Sequence, residues 1–167
     1  MIKLARVDFA STDPAQLRAA VKLPRSIQPR GVSLRVGVKL SNGEEEFQEF
    51  TLREESAPQD MLMLAREADT DTHMFVYRLD AGEAARLSAF RETLKKKQAA
   101  SGGRGGALTI SLRPQACRTG EPPSRRIYLT TYLRTAETGD YVPLTRDVDL
   151  HTVDPKQDVV ASMPPCA

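Results

Sequence analysis

Three groups of residues in this chain have types and spacings that could do chemistry. Asp147, Asp149 and His151 alternate. On an extended strand they would share a face and form an oxygen-and-imidazole cluster, of the kind that holds a cation or passes a proton. Arg125 and Arg126 stand beside Tyr128 and Tyr132. Cations next to aromatic rings at alternating positions suit a small binding surface for an anionic or sugar-like ligand. Cys117 and Cys166 lie in Pro- and Gly-containing stretches outside the apolar-periodic segments. Two loop cysteines suit a disulfide, and closing a loop of roughly 50 residues stabilises by about 4 kcal/mol in the chain-entropy description. Each group has a plainer alternative: a solvated polar edge, ordinary strand composition, or two free thiols in a cytosolic protein, where Arg118 would favour the Cys117 thiolate.

Other chemistries lack a motif. No Gly-x-Ser-x-Gly elbow occurs, no Cys-x-x-Cys pair occurs, and neither His73 nor His151 has a second ligand four residues away. The run Gly102, Gly103, Arg104, Gly105, Gly106 resembles a phosphate loop in composition. Phosphate loops follow a strand and open a helix, whereas this one follows a helical pattern and opens a strand. The chain is therefore read without a cofactor or a metal, and as more fitted to binding than to catalysis. Glu44, Glu45, Glu46 and Glu49, with Glu54 and Glu55, read as a solvated acidic turn.

These residues must be positioned by a sheet. Val32, Leu34, Val36, Val38 and Leu40 alternate with polar residues and Gly, then Asn42-Gly43 gives the strongest turn signal in the chain. Residues 32–52 read as a β-hairpin, with a bulge between Phe47 and Phe50 expected to bring both rings to one face. Strands are also expected over 2–9, 61–65, 73–79, 108–112, 127–135 and 141–148, the last an edge because of Pro143. Asp13, Pro14 and Gln16 start a short helix over residues 14–22. Asp80 and Glu83 cap a long one over residues 81–98, with Ala84, Leu87, Phe90 and Leu94 buried. Residues 114–126 read as a loop.

Strands dominate and hairpin connections outnumber crossovers. The expected fold is α+β: a mainly antiparallel sheet of about seven strands covered by one long and one short helix, with a helix-decorated β-sandwich as the alternative. A chain of 167 residues suits one domain, here residues 1–150, followed by an extended tail over 151–167. A net charge of +2 is too small to imply nucleic acid or an anionic membrane surface. No window has the length and apolarity of a transmembrane helix, and the N-terminus lacks the regions of a signal peptide, although a leader or lipid anchor removed upstream would leave no trace. The sequence does not fix an oligomeric state.

Asp13 to Arg18 (Asp-Pro-Ala-Gln-Leu-Arg), Cys117-Arg118-Thr119-Gly120, Tyr132-Leu133-Arg134-Thr135 and Pro143-Leu144-Thr145-Arg146-Asp147 together resemble segments of small uncharacterised bacterial proteins exported to the periplasm, often as lipoproteins. The resemblance implies export and a disulfide and carries no activity. The expectation is a non-enzymatic extracytoplasmic domain that meets a protein or envelope component through the hairpin 32–52 or the edge strand. The rivals are a hydrolase-type enzyme built on Asp147, Asp149 and His151, and a cytosolic accessory subunit.

Overall fold

Among the described residues of the computed structural model seven strands form: β1 (Arg18–Pro24), β2 (Ile27–Lys39), β3 (Glu45–Glu54), β4 (Thr72–Arg78), β5 (Ala107–Arg118), β6 (Tyr128–Arg134) and β7 (Val142–Asp149). They form one antiparallel sheet in the order β5-β2-β3-β4-β1-β6-β7, with helix α1 (Pro58–Met63) and the long helix α2 (Ala81–Ala100) packed against it. The architecture is α+β, as the strand-rich pattern predicts. The structure describes residues 12–39, 43–100, 107–121 and 126–166. The strand expected over residues 2–9, Asn42 of the turn, the glycine-rich run, and Arg125 lie outside them.

The hairpin forms, with a register one residue away from that of a two-residue loop. Lys39 pairs with Glu45, Gly37 with Phe47 and Leu34 with Phe50, without a register shift along the ladder. The expected bulge is therefore absent, and Phe47 and Phe50 face opposite sides. Phe50 is fully buried. Phe47 is 47% exposed, and its ring lies across Gly37, where a Cβ would meet it at 2.6 Å.

Three further expectations are corrected. Asp13 does cap a helical start, its carboxylate accepting from the Ala15 amide at 3.0 Å, but only one 3-10 turn forms (Pro14–Gln16) before the chain extends into β1. β1 is hydrogen-bonded between β4 and β6, and Ala19, Ala20 and Val21 are buried in succession. Burial on both faces outweighs the helix preference of Ala. Residues 61–65 belong to α1 and the 3-10 turn that follows (Ala65–Glu67), because Pro58 fits the first helical turn and Asp60 favours it. Residues 114–118 are not loop: β5 runs to Arg118, and as an end strand it accommodates Pro114.

The two faces of the sheet are covered differently. Against one face, Leu87, Phe90 and Leu94 of α2 join Val21, Leu34, Phe50 and Leu133 in the larger core cluster. The other face carries a small cluster of Ala20, Leu64, Met74, Val76 and Tyr132, covered by α1. Helix α2 begins on the Asp80 cap, which accepts from the Glu83 amide at 2.8 Å. Its side chains also reach the edge that β3 presents where β4, paired only at Arg53 and Glu54, does not cover it: Glu83 accepts from the Thr51 amide at 2.7 Å, and Arg86 donates to the Glu49 carbonyl. That edge is thereby blunted against pairing with another chain.

The sheet curls until its first strand approaches its far half, since Ala116 of β5 and Leu129 of β6 line one cavity. The chain after β7 lines the opening. Leu150, Val160 and Met163 enter the larger core, and the Cys117–Cys166 disulfide, with Cα atoms 5.0 Å apart, ties the end of the chain to β5. The tail, expected to be polar, draped and pinned by Cys166, is thus held by apolar burial as well.

Candidate functional site

The site grows from a bulge in β7. Between the pairs Leu129↔Val148 and Thr131↔Thr145 the register shifts, and Asp147 adopts a left-handed φ of 52°. Thr130, buried beneath it, holds this conformation: its hydroxyl accepts from the Asp147 amide at 3.0 Å and donates to the Asp147 carboxylate at 3.4 Å. A left-handed non-glycine residue costs of order 1 kcal/mol, and Asp tolerates it better than most.

The bulge borders a cleft of about 600 Å³. Its walls are the ends of β1 and β6 and the turn before β4, which bring Lys22, Arg25, Asp69, Asp71, Arg126, Tyr128 and Asp147 to one place. Lys22 pairs with Asp69 at 3.2 Å, and Arg25 donates through Nε to the Thr70 carbonyl at 2.9 Å. Arg126 reaches the Tyr128 hydroxyl at 3.4 Å, and contact with that hydroxyl, ahead of the field of Asp149, holds its guanidinium more firmly protonated than usual. Tyr128 lines the cleft and is 41% exposed. Among the described residues the lining carries three cations and three carboxylates.

Of the residues singled out in the sequence, Arg126, Tyr128 and Asp147 therefore meet. Tyr132 does not join them. It is buried, donates to Glu67 Oε2 at 2.9 Å, and has its phenol pKa raised by burial first and by Glu67 second. Asp149 and His151 also turn elsewhere: Asp149 accepts from the His151 amide at 2.9 Å, while His151 Nδ1 lies 2.9 Å from Asp158. That imidazole contact holds the Asp158 carboxyl below its ordinary range. Among the described residues no group of three His, Cys, Asp or Glu side chains could hold a metal ion. His73 is structural, its Nε2 donating to the Ile27 carbonyl at 3.1 Å.

Beside the cleft, two carboxylates dock α1 and the turn after it onto the sheet. Asp60, only 5% exposed, accepts from the Tyr141 hydroxyl at 2.7 Å and lies 3.2 Å from Arg134. Glu67 accepts from Tyr132 and lies 3.2 Å from Arg146, whose hydrogen bond is the main cause of its lowered pKa. Each acid is thus held by one tyrosine and one arginine. Sequence reasoning missed these clamps and also missed Lys22, Arg25, Asp69 and Asp71, because their partners come from segments 45 residues apart or more and no local spacing joins them.

Comparisons with family models, curated proteins and solved structures give no match for this chain.

Proposed function

We propose that the protein is a non-enzymatic extracytoplasmic binding domain that takes an oligosaccharide-bearing component of the cell envelope in the cleft between β1, β6 and the turn before β4. The observation that carries this reading is the balance of the cleft. Three cations facing three carboxylates beside an exposed tyrosine offer many donors and acceptors with no excess charge. A strongly anionic ligand would meet Asp69, Asp71 and Asp147. A neutral or zwitterionic sugar can instead stack on Tyr128 while its hydroxyls bond to both charge types.

Docking through a sheet edge is less well supported. The β3 edge is answered by α2, β7 is interrupted by Pro143 and its bulge, and β5 carries Pro114. The disulfide supports an oxidising compartment, since such bonds persist mainly outside the cytosol. No helix among the described residues is long and apolar enough to cross a membrane.

The test is an NMR titration of the labelled protein with purified peptidoglycan fragments and with neutral N-acetylglucosamine oligosaccharides. Saturable shifts at the amides of Arg25, Asp71 and Tyr128, absent in Tyr128→Ala, are expected. Shifts confined to other surfaces, or none with either sugar, would overturn the reading, and turnover of the sugar would replace binding with catalysis.

A further inference from the structure

A second cavity, about 380 Å³, lies where the curled sheet fails to close. Leu23, Ala116, Leu129, Leu150 and Met163 make it mostly apolar, and Arg30 is the one charged residue in its described lining. The position of that arginine has a structural cause. Pro29 pairs with Ala116 and Gly31 with Gln115, so Arg30 is the extra residue of a β-bulge in β2. Bulges at the rim of a curled sheet redirect a side chain. Here the redirected side chain is a cation at an apolar cavity, and neither the ion pairs nor the side-chain hydrogen bonds of the described residues give it a partner.

We infer that this cavity binds a small amphiphile with one aliphatic chain and an anionic head, the chain among the apolar residues and the head on Arg30. Charge complementarity decides the sign of the head. The volume decides the size, being near the lower end of small-molecule sites and too small for a two-chain lipid. Val159 and Met163 line the cavity from the segment that the Cys117–Cys166 bond ties to β5. One wall of the site therefore depends on the disulfide. The site is separate from the charged cleft and does not depend on its ligand.

Decanoate below its micellar concentration is the probe, with decanol and decyltrimethylammonium as chain-matched neutral and cationic controls, followed by amide shifts at Ala116 and Leu129. Decanoate is expected to bind at this cavity about tenfold more tightly than decanol, which corresponds to about 1.4 kcal/mol for the charged contact. Arg30→Gln, an exposed change that leaves the core intact, should abolish that preference, and Arg30→Glu should transfer it to the cationic amphiphile. Reduction of the disulfide should weaken decanoate binding several-fold while amide shifts in β1 and β4 stay native. Equal binding of all three amphiphiles, decanoate shifts mapping elsewhere, or a preference for decanoate that survives Arg30→Gln would each overturn the inference.

Discussion

The two faces of the sheet are held by different physics. Against α2, the face is apolar: Phe50 and Leu87 are fully buried and the Phe50 and Phe90 rings lie 6.2 Å apart. Against α1, a small apolar cluster is bordered by two carboxylates, each shared between a tyrosine and an arginine. Apolar burial is non-directional and tolerates sliding, whereas a shared carboxylate fixes position. The two faces thus divide the labour. The α2 face supplies most of the stability, and the α1 face supplies placement for the turn that carries Asp69 and Asp71 into the cleft.

Substitutions on the two faces should separate these roles. Phe50→Ala, or Leu87→Ala on the α2 side of the same core, is expected to cost about 2–5 kcal/mol in denaturant unfolding, because each leaves a cavity in the larger core. A loss under 1 kcal/mol would mean that the α2 face is not the main source of stability. Tyr141→Phe should cost less, about 1–3 kcal/mol, by leaving the nearly buried Asp60 without its phenol donor. The same variant should raise hydrogen exchange in α1 more than in α2; equal effects would erase the distinction.

Acid should act on the α1 face selectively. Glu67 has a folded-state pKa below its ordinary 4.5, chiefly through Arg146. Its contribution is therefore complete above pH 4.5 and disappears as pH falls through the depressed value. Wild type should exceed Glu67→Gln by about 1 kcal/mol or less near neutrality, since both side chains are partly exposed, and the gap should close in acid. A gap that widens in acid would have the wrong sign. Smallest of all is Phe47→Ala on the open side of the hairpin. It removes the ring on which the Arg35 guanidinium stacks, 4.3 Å from its centre, and should cost about 0.5–1 kcal/mol by thermal melting, with a larger loss pointing to burial of that ring in an assembly.

Much of the α2 face was legible in the sequence. The Asp80 cap and the spacing of Leu87, Phe90 and Leu94 specify the helix and its buried stripe, and alternation in residues 32–38 specifies β2. Register was not legible. Asn42-Gly43 suggests a two-residue loop, but pairing of Lys39 with Glu45 leaves an odd number of residues between the strands. The central strand β1 was hidden because burial on both faces removes the alternation that marks a strand, and because the real helix signal at Asp13 serves only one turn. The cleft was half legible. Arg126, Tyr128 and Asp147 announce themselves by type and phase, whereas the turn that brings Asp69 and Asp71 beside them is placed by tertiary contacts that Glu67 and Asp60 make with distant strands.

The cleft is tested most directly by the affinity of Tyr128→Ala for peptidoglycan fragments or neutral N-acetylglucosamine oligosaccharides, measured by calorimetry on protein whose melting temperature is recorded alongside. An exposed ring contributes to binding and little to folding, so affinity should fall at least about tenfold while stability stays within about 0.5 kcal/mol of wild type. Unchanged affinity, or affinity lost only together with the fold, would contradict the assignment of the cleft as the binding site.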